Sequence, residues 1–129
     1  MKIYELMEEI SQEQLNQVEL FADRLFAKAG IDIKFTQHFV DRMNDDRNGK
    51  PISAAELIHL FKRTWVRYGR AMADFPDNFE AVIHDLSNDV NVPFTIRDTP
   101  LDTSLDKTLI SKTVMRKKDF KTDNEKLSV

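Results

Sequence analysis

The chain has 129 residues, 41% of them apolar and 32% charged, with a formal net charge of −3. That balance belongs to one globular domain with a true core, and its mild acidity argues against a generally basic nucleic-acid binder. The absence of cysteine excludes disulfides, zinc–thiolate sites, iron–sulfur clusters and cysteine nucleophiles and fits a reducing cytoplasm, while no apolar run approaches the roughly 18 residues of a membrane span.

The first ten residues carry Glu5, Glu8 and Glu9 and do not read as a secretory signal. Ser11, with Gln14 as its capping-box partner, opens a helix whose apolar stripe runs through Leu15, Val18, Phe21 or Ala22, Leu25 and Phe26 and stops at Gly30. Ile31, Ile33 and Phe35 then alternate with Asp32 and Lys34 as a short strand. Thr36 caps a short helix reaching about Asp46, with Phe39, Val40 and Met43 on its buried side. "RNGKP" is a turn. Ser53 and Glu56 form a second capping box, and the helix they open carries Leu57, Phe61, Trp65 and Tyr68 on one stripe before Gly69 stops it.

Beyond Pro76 the period changes to two. Residues 79–86 and 90–98 read as a hairpin in which Pro93 marks an edge strand or a bulge. Residues 99–106 read as a polar loop, 107–116 as a third strand and the tail from Phe120 as frayed. Helices followed by consecutive strands imply an α+β fold, with the N-terminal helices packed on one face of a small antiparallel sheet. One domain is expected over residues 1–119, followed by a flexible tail over 120–129.

The chemistry-bearing groups are few. His38 and Arg42 lie four apart on the wet side of the second helix. Lys62 sits at the edge of the third helix's apolar stripe, His59 points nearly opposite it, and His84 shares a strand face with Glu80 and Val82. Each histidine has an ordinary reading as a solvated or sheet-face residue. No HExxH, DxDxDG, GxGxxG, GKT or GxSxG pattern is present, so neither a metal nor a cofactor is expected. Residues 107–118 hold Lys107, Lys112, Arg116, Lys117 and Lys118 and no acid after Lys107. Histidine as base or acid, with cations to hold charge on a phosphorane, would suit cleavage of RNA through its own 2′-hydroxyl.

"IDIKFTQHFVDR", followed after a turn by "ISAAELIHLFKR", resembles the RegB-type phage endoribonucleases, structural relatives of the RelE-type toxins. The match is dense from Ile31 to Lys62, with a weaker echo at "PFTIRD" and in the basic strand. The resemblance implies a metal-independent endoribonuclease acting on single-stranded messenger RNA in the host cytoplasm, with a ribosome or a ribosomal RNA-binding protein presenting the target. It carries the family's first catalytic histidine onto His38 and its functional arginine onto Arg42. The second histidine falls on Lys62, so either Lys62 or another group supplies a proton, or the scaffold binds RNA machinery or a defence protein without cleaving. On this reading Lys112, Arg116, Lys117 and Lys118 track the RNA backbone, and His59 and His84 are secondary candidates.

Overall fold

The computed structural model describes residues 10–98 and 106–129; most of the expected 99–106 loop and the acidic start of the chain lie outside them. Three helices, α1 (Gln12–Phe26), α2 (Gln37–Met43) and α3 (Ala54–Met72), pack against a mixed sheet of β1 (Ile31–Phe35), β2 (Phe79–His84), β3 (Val90–Asp98), β4 (Lys107–Ser111), β5 (Met115–Arg116) and β6 (Glu125–Ser128). The fold is α+β.

Both capping boxes form as their spacing requires. Ser11 Oγ accepts from Gln14 N–H at 3.1 Å and Ser53 Oγ from Glu56 N–H at 3.1 Å, each with the reciprocal side-chain bond. Gly30 ends the first helical segment in the left-handed region, φ 75°, which a glycine adopts without strain. α2 is shorter than its pattern suggested, ending at Met43 and followed by a separate turn of 3₁₀ helix at Asp46–Asn48 that Asp45 caps.

Strand order is β1-β4-β3-β2-β6, with β5 continuing beside β3. The central strands β4, β3 and β2 are antiparallel as expected, but the outer pairs β1–β4 and β2–β6 are parallel. Register places Ile33, Leu109 and Ile96 in one row and Phe94 with Ala81 in the next, all on the face that the helices cover. Leu15, Val18 and Phe26 of α1, Phe39 and Met43 of α2, and Leu57, Leu60 and Phe61 of α3 complete that core. The outer edge of β1 is closed by α1, whose Asp23 and Glu19 carboxylates accept from Ile33 and Phe35 N–H at 2.6 and 2.8 Å.

Further readings of the sequence need correction. Gly69 does not stop α3, which runs one turn further to Met72. A Cβ at position 69 would lie 2.2 Å from Trp65 Cε3, so this glycine makes room for an indole ring rather than ending a helix. Pro93 lies in a central strand. Pro93 C=O accepts from Lys112 N–H, and a strand residue's N–H and C=O point the same way. The missing donor therefore faces the gap between β4 and β5, where pairing is already interrupted, and the expected third strand is divided at that gap. The tail does not fray: β6 pairs with β2, Leu127 and Val129 are buried, and Tyr68 Oη donates to Ser128 C=O at 3.2 Å.

Candidate active site

α2 is held at both ends against the segment that follows β4. At its start, Thr36 Oγ accepts from Phe39 N–H at 3.0 Å and donates to Lys112 C=O at 2.8 Å, while Thr36 N–H reaches Ser111 C=O. At its end, Asn48 Nδ2 donates to Arg42 C=O at 2.8 Å and Asn48 Oδ1 accepts from Arg116 N–H at 3.2 Å. Residues 112–116 thus run alongside α2. Beneath it, Phe39 stacks on Phe35 with ring centroids 4.3 Å apart, which orients the helix and leaves His38 exposed.

Arg42, one turn beyond His38, lines an open pocket of about 420 Å³ with Arg47, Met115, Arg116 and Lys117. Its Nε is buried without a hydrogen-bond partner, 3.8 Å from an Asp45 Oδ2 that already receives Arg47 Nη2 at 2.9 Å. The hydrogen bonds from Arg47 hold the Asp45 carboxyl far below the usual carboxylate range, so it stays an anion beside the two arginines. The pocket keeps a surplus of positive charge, and the terminal guanidinium N–H groups of Arg42 and the exposed Lys117 Nζ have no partner among the described residues. His38 has no hydrogen-bond or ion-pair partner among the described residues.

The other candidates part company with this pocket. Lys62 is exposed on α3 with Nζ 5.8 Å from the centre of the Phe21 ring of α1, so it lines the α1–α3 junction instead of the Arg42 pocket. Arg116 borders the pocket, but all five guanidinium N–H groups are committed: to Lys50, Pro51 and Asn88 carbonyls and, bidentate, to Glu56 at 2.8 and 2.9 Å. Burial alone would raise the Glu56 carboxyl, but the bonds from Arg116 and Ser53 N–H outweigh it and hold Glu56 below its ordinary value. Lys112 pairs with Glu80 at 2.8 Å across the sheet face away from the helices. Lys118 is exposed.

His59 is exposed on α3. His84 is buried on the opposite sheet face, its Nδ1 2.6 Å from Asn91 Oδ1. Asn91 Nδ2 donates to the Asp89 and Lys117 carbonyls, both at 3.0 Å, which makes Oδ1 the acceptor and His84 Nδ1 the donor. The pair ties β2, β3 and the segment that follows β5 together. Among the described residues no cluster of histidine, aspartate and glutamate has the arrangement of a metal site, and no helix is long and apolar enough to cross a membrane.

Sequence reasoning missed Arg47, whose place in the pocket depends on the 3₁₀ turn after α2. It also missed the structural use of Arg116, because its partner Glu56 lies 60 positions away. No family model, curated protein or solved structure matches the chain.

Proposed function

We propose that the protein is an RNA-directed, metal-independent endoribonuclease whose reacting phosphate sits against the α2–β5 pocket. The observation that carries this reading is the cation-lined pocket formed by Arg42, Arg47, Arg116 and Lys117, one helical turn from the exposed, unpartnered imidazole of His38. On this reading Arg42 and Lys117 hold the non-bridging oxygens of the scissile phosphate, and charge that builds there in the transition state strengthens those contacts. His38 takes the proton of the adjacent 2′-hydroxyl, whose oxygen attacks phosphorus. The P–O5′ bond breaks, solvent protonates the 5′-oxygen, and a 2′,3′-cyclic phosphate remains. Single-stranded RNA, presented by a ribosome or a ribosomal RNA-binding protein, is the expected substrate, since its bases and 2′-hydroxyls are accessible.

A second reading, RNA or partner binding without cleavage, is favoured by the position of Lys62 against Phe21, which leaves His38 with no companion proton carrier from α3. The deciding experiment incubates purified protein with labelled single-stranded RNA, with and without ribosomes, in excess chelator. Cleavage that ends in cyclic phosphate and is lost in His38→Ala and Arg42→Ala supports the enzyme. Cleavage undiminished in His38→Ala refutes it, and RNA binding without cleavage in any condition leaves the second reading.

A further inference from the structure

The cations that attract attention in the sequence are largely neutralised in the fold. Arg42 and Arg47 share Asp45, Arg97 meets Asp77, Lys107 meets Asp98, Lys112 meets Glu80 and Arg116 meets Glu56. α3 is different. From Leu57 to Met72 it contains no acid, and Lys62, Arg63, Arg67 and Arg70 have no ion pair or hydrogen bond to a carboxylate among the described residues. Arg63, Val66, Arg67 and Arg70 fall at i, i+3, i+4 and i+7, a single stripe on the helix surface, and His59 continues it one turn earlier. Val66 is 81% exposed at its centre.

The stripe has relief as well as charge. Two shallow hollows adjoin along it, one of about 220 Å³ lined by Lys62, Arg63, Val66 and Arg67, the other of about 380 Å³ reaching Trp65, Gly69 and Arg70. Trp65 packs edge-on against Phe26, centroids 5.4 Å apart, and its ring lies across Gly69, which only a residue without a side chain permits. A half-buried indole at the flank of the stripe, in the same hollow as Arg67 and Arg70, offers a stacking surface beside phosphate-binding groups.

We infer that the outward face of α3 is a backbone-binding track for single-stranded RNA, with Arg63, Arg67 and Arg70 holding phosphates and Trp65 stacking a base. The identity of the polyanion rests on the ribonuclease reading; the existence of the track does not. Arg63 and Arg70 are separated by about 10 Å along the helix, a length over which a regular nucleic-acid strand carries about three phosphates. Arginine suits them because its planar fork pairs bidentately with phosphate oxygens. An anionic bilayer fits less well. A surface-seeking helix inserts its apolar face, but here Leu57, Leu60 and Phe61 are fully buried in the core and only Val66 projects.

The test is fluorescence anisotropy with an end-labelled twelve-nucleotide oligouridylate, titrated with wild type and with the triple variant Arg63→Gln, Arg67→Gln, Arg70→Gln over a range of salt. At 100 mM salt the glutamine variant should bind at least tenfold more weakly. The slope of log K against log salt should shrink by about 2, from roughly 0.7 per lost phosphate contact. The corresponding triple lysine variant should keep the slope. His38→Ala should leave affinity and slope unchanged, which separates the track from the cleavage site: loss of cleavage there with binding intact supports both. Intrinsic fluorescence of wild type provides a readout that needs no substitution, because Trp65 is the sole tryptophan and its emission should be quenched on adding RNA. Wild-type affinity and slope in the glutamine variant, unchanged tryptophan emission at saturating RNA, or tighter binding to phosphatidylserine vesicles than to RNA would each overturn the inference.

Discussion

Replacing Arg116 by methionine tests whether this basic residue serves the fold or a ligand. The wild-type guanidinium fills all five of its donor positions, two of them on Glu56 and three on the Lys50, Pro51 and Asn88 carbonyls. It thereby ties β5 to the entrance of α3 and to the β2–β3 turn. Breaking a buried ion pair by removing one partner costs about 3–5 kcal/mol. The side chains here are 14% and 19% exposed, so the lower end, about 3 kcal/mol, is expected. Urea unfolding should show a lowered midpoint with an unchanged slope. Glu56→Gln should lose less, and the double variant less than the sum of the two. Glu56 is held below its ordinary 4.5, so the pair stabilises above that value and the benefit disappears as pH falls through the lower folded value; Arg116→Met should remove that acid-side dependence. A loss under about 1 kcal/mol in Arg116→Met, with RNA affinity falling further than in Lys117→Gln, would mean that Arg116 is a ligand-binding residue after all.

Asp23 faces Asp32 and Glu19, and burial first, then those acids, push its carboxyl up to about 7 despite the bond from Ile33 N–H. Its folded form therefore binds the proton more tightly than the unfolded chain, so wild-type stability should fall as pH rises from about 4 to about 7. Asp23→Asn should melt with wild type at pH 4 and above it at pH 8; an offset independent of pH would refute the assignment. Gly69→Ala should destabilise despite a helix-propensity gain of about 1 kcal/mol, because the new Cβ meets the Trp65 ring, and a shifted tryptophan emission should accompany the loss. Leu127→Ala should cost about 2–3 kcal/mol in chemical denaturation if β6 belongs to the core, and near zero if the tail frays.

The parts of the fold legible in the sequence are those whose causes are local. Both capping boxes, the Gly30 terminus, the Thr36 cap and the strand at Ile31–Phe35 follow from residues within a few positions of one another. What could not be read depends on distant partners. β6 offers one core side chain in four residues and acquires its meaning only beside β2. Gly69 looks like a stop signal until the Trp65 ring is seen to occupy the space. The basic strand resembles an RNA-binding surface, but Glu56 and Glu80 meet Arg116 and Lys112 from 60 and 32 residues away. Periodicity does show that α3 is amphipathic; the burial of its partners shows which cations on its polar side remain free.

The site's composition also sets the form of its pH dependence. A cleavage that uses two histidines, one base and one acid, has a bell-shaped kcat/KM profile because the two must hold opposite protonation states. The α2–β5 pocket is lined by Arg42, Arg47, Met115, Arg116 and Lys117, with His38 one turn from Arg42 outside that lining, while His59 stands on α3 and His84 is bonded to Asn91 across the sheet. With His38 as the sole base and solvent as the acid, kcat/KM should rise through a single ionisation and then stay level. Arg42→Lys should lower that plateau without moving the midpoint much, since one cation replaces another but the planar donor fork is lost. Measured in excess chelator on a short single-stranded RNA, a descending limb near neutrality would reveal a second proton carrier. If that limb vanished in Lys62→Ala, the lysine standing over Phe21 would have to reach the site during turnover, and the one-histidine mechanism would be wrong.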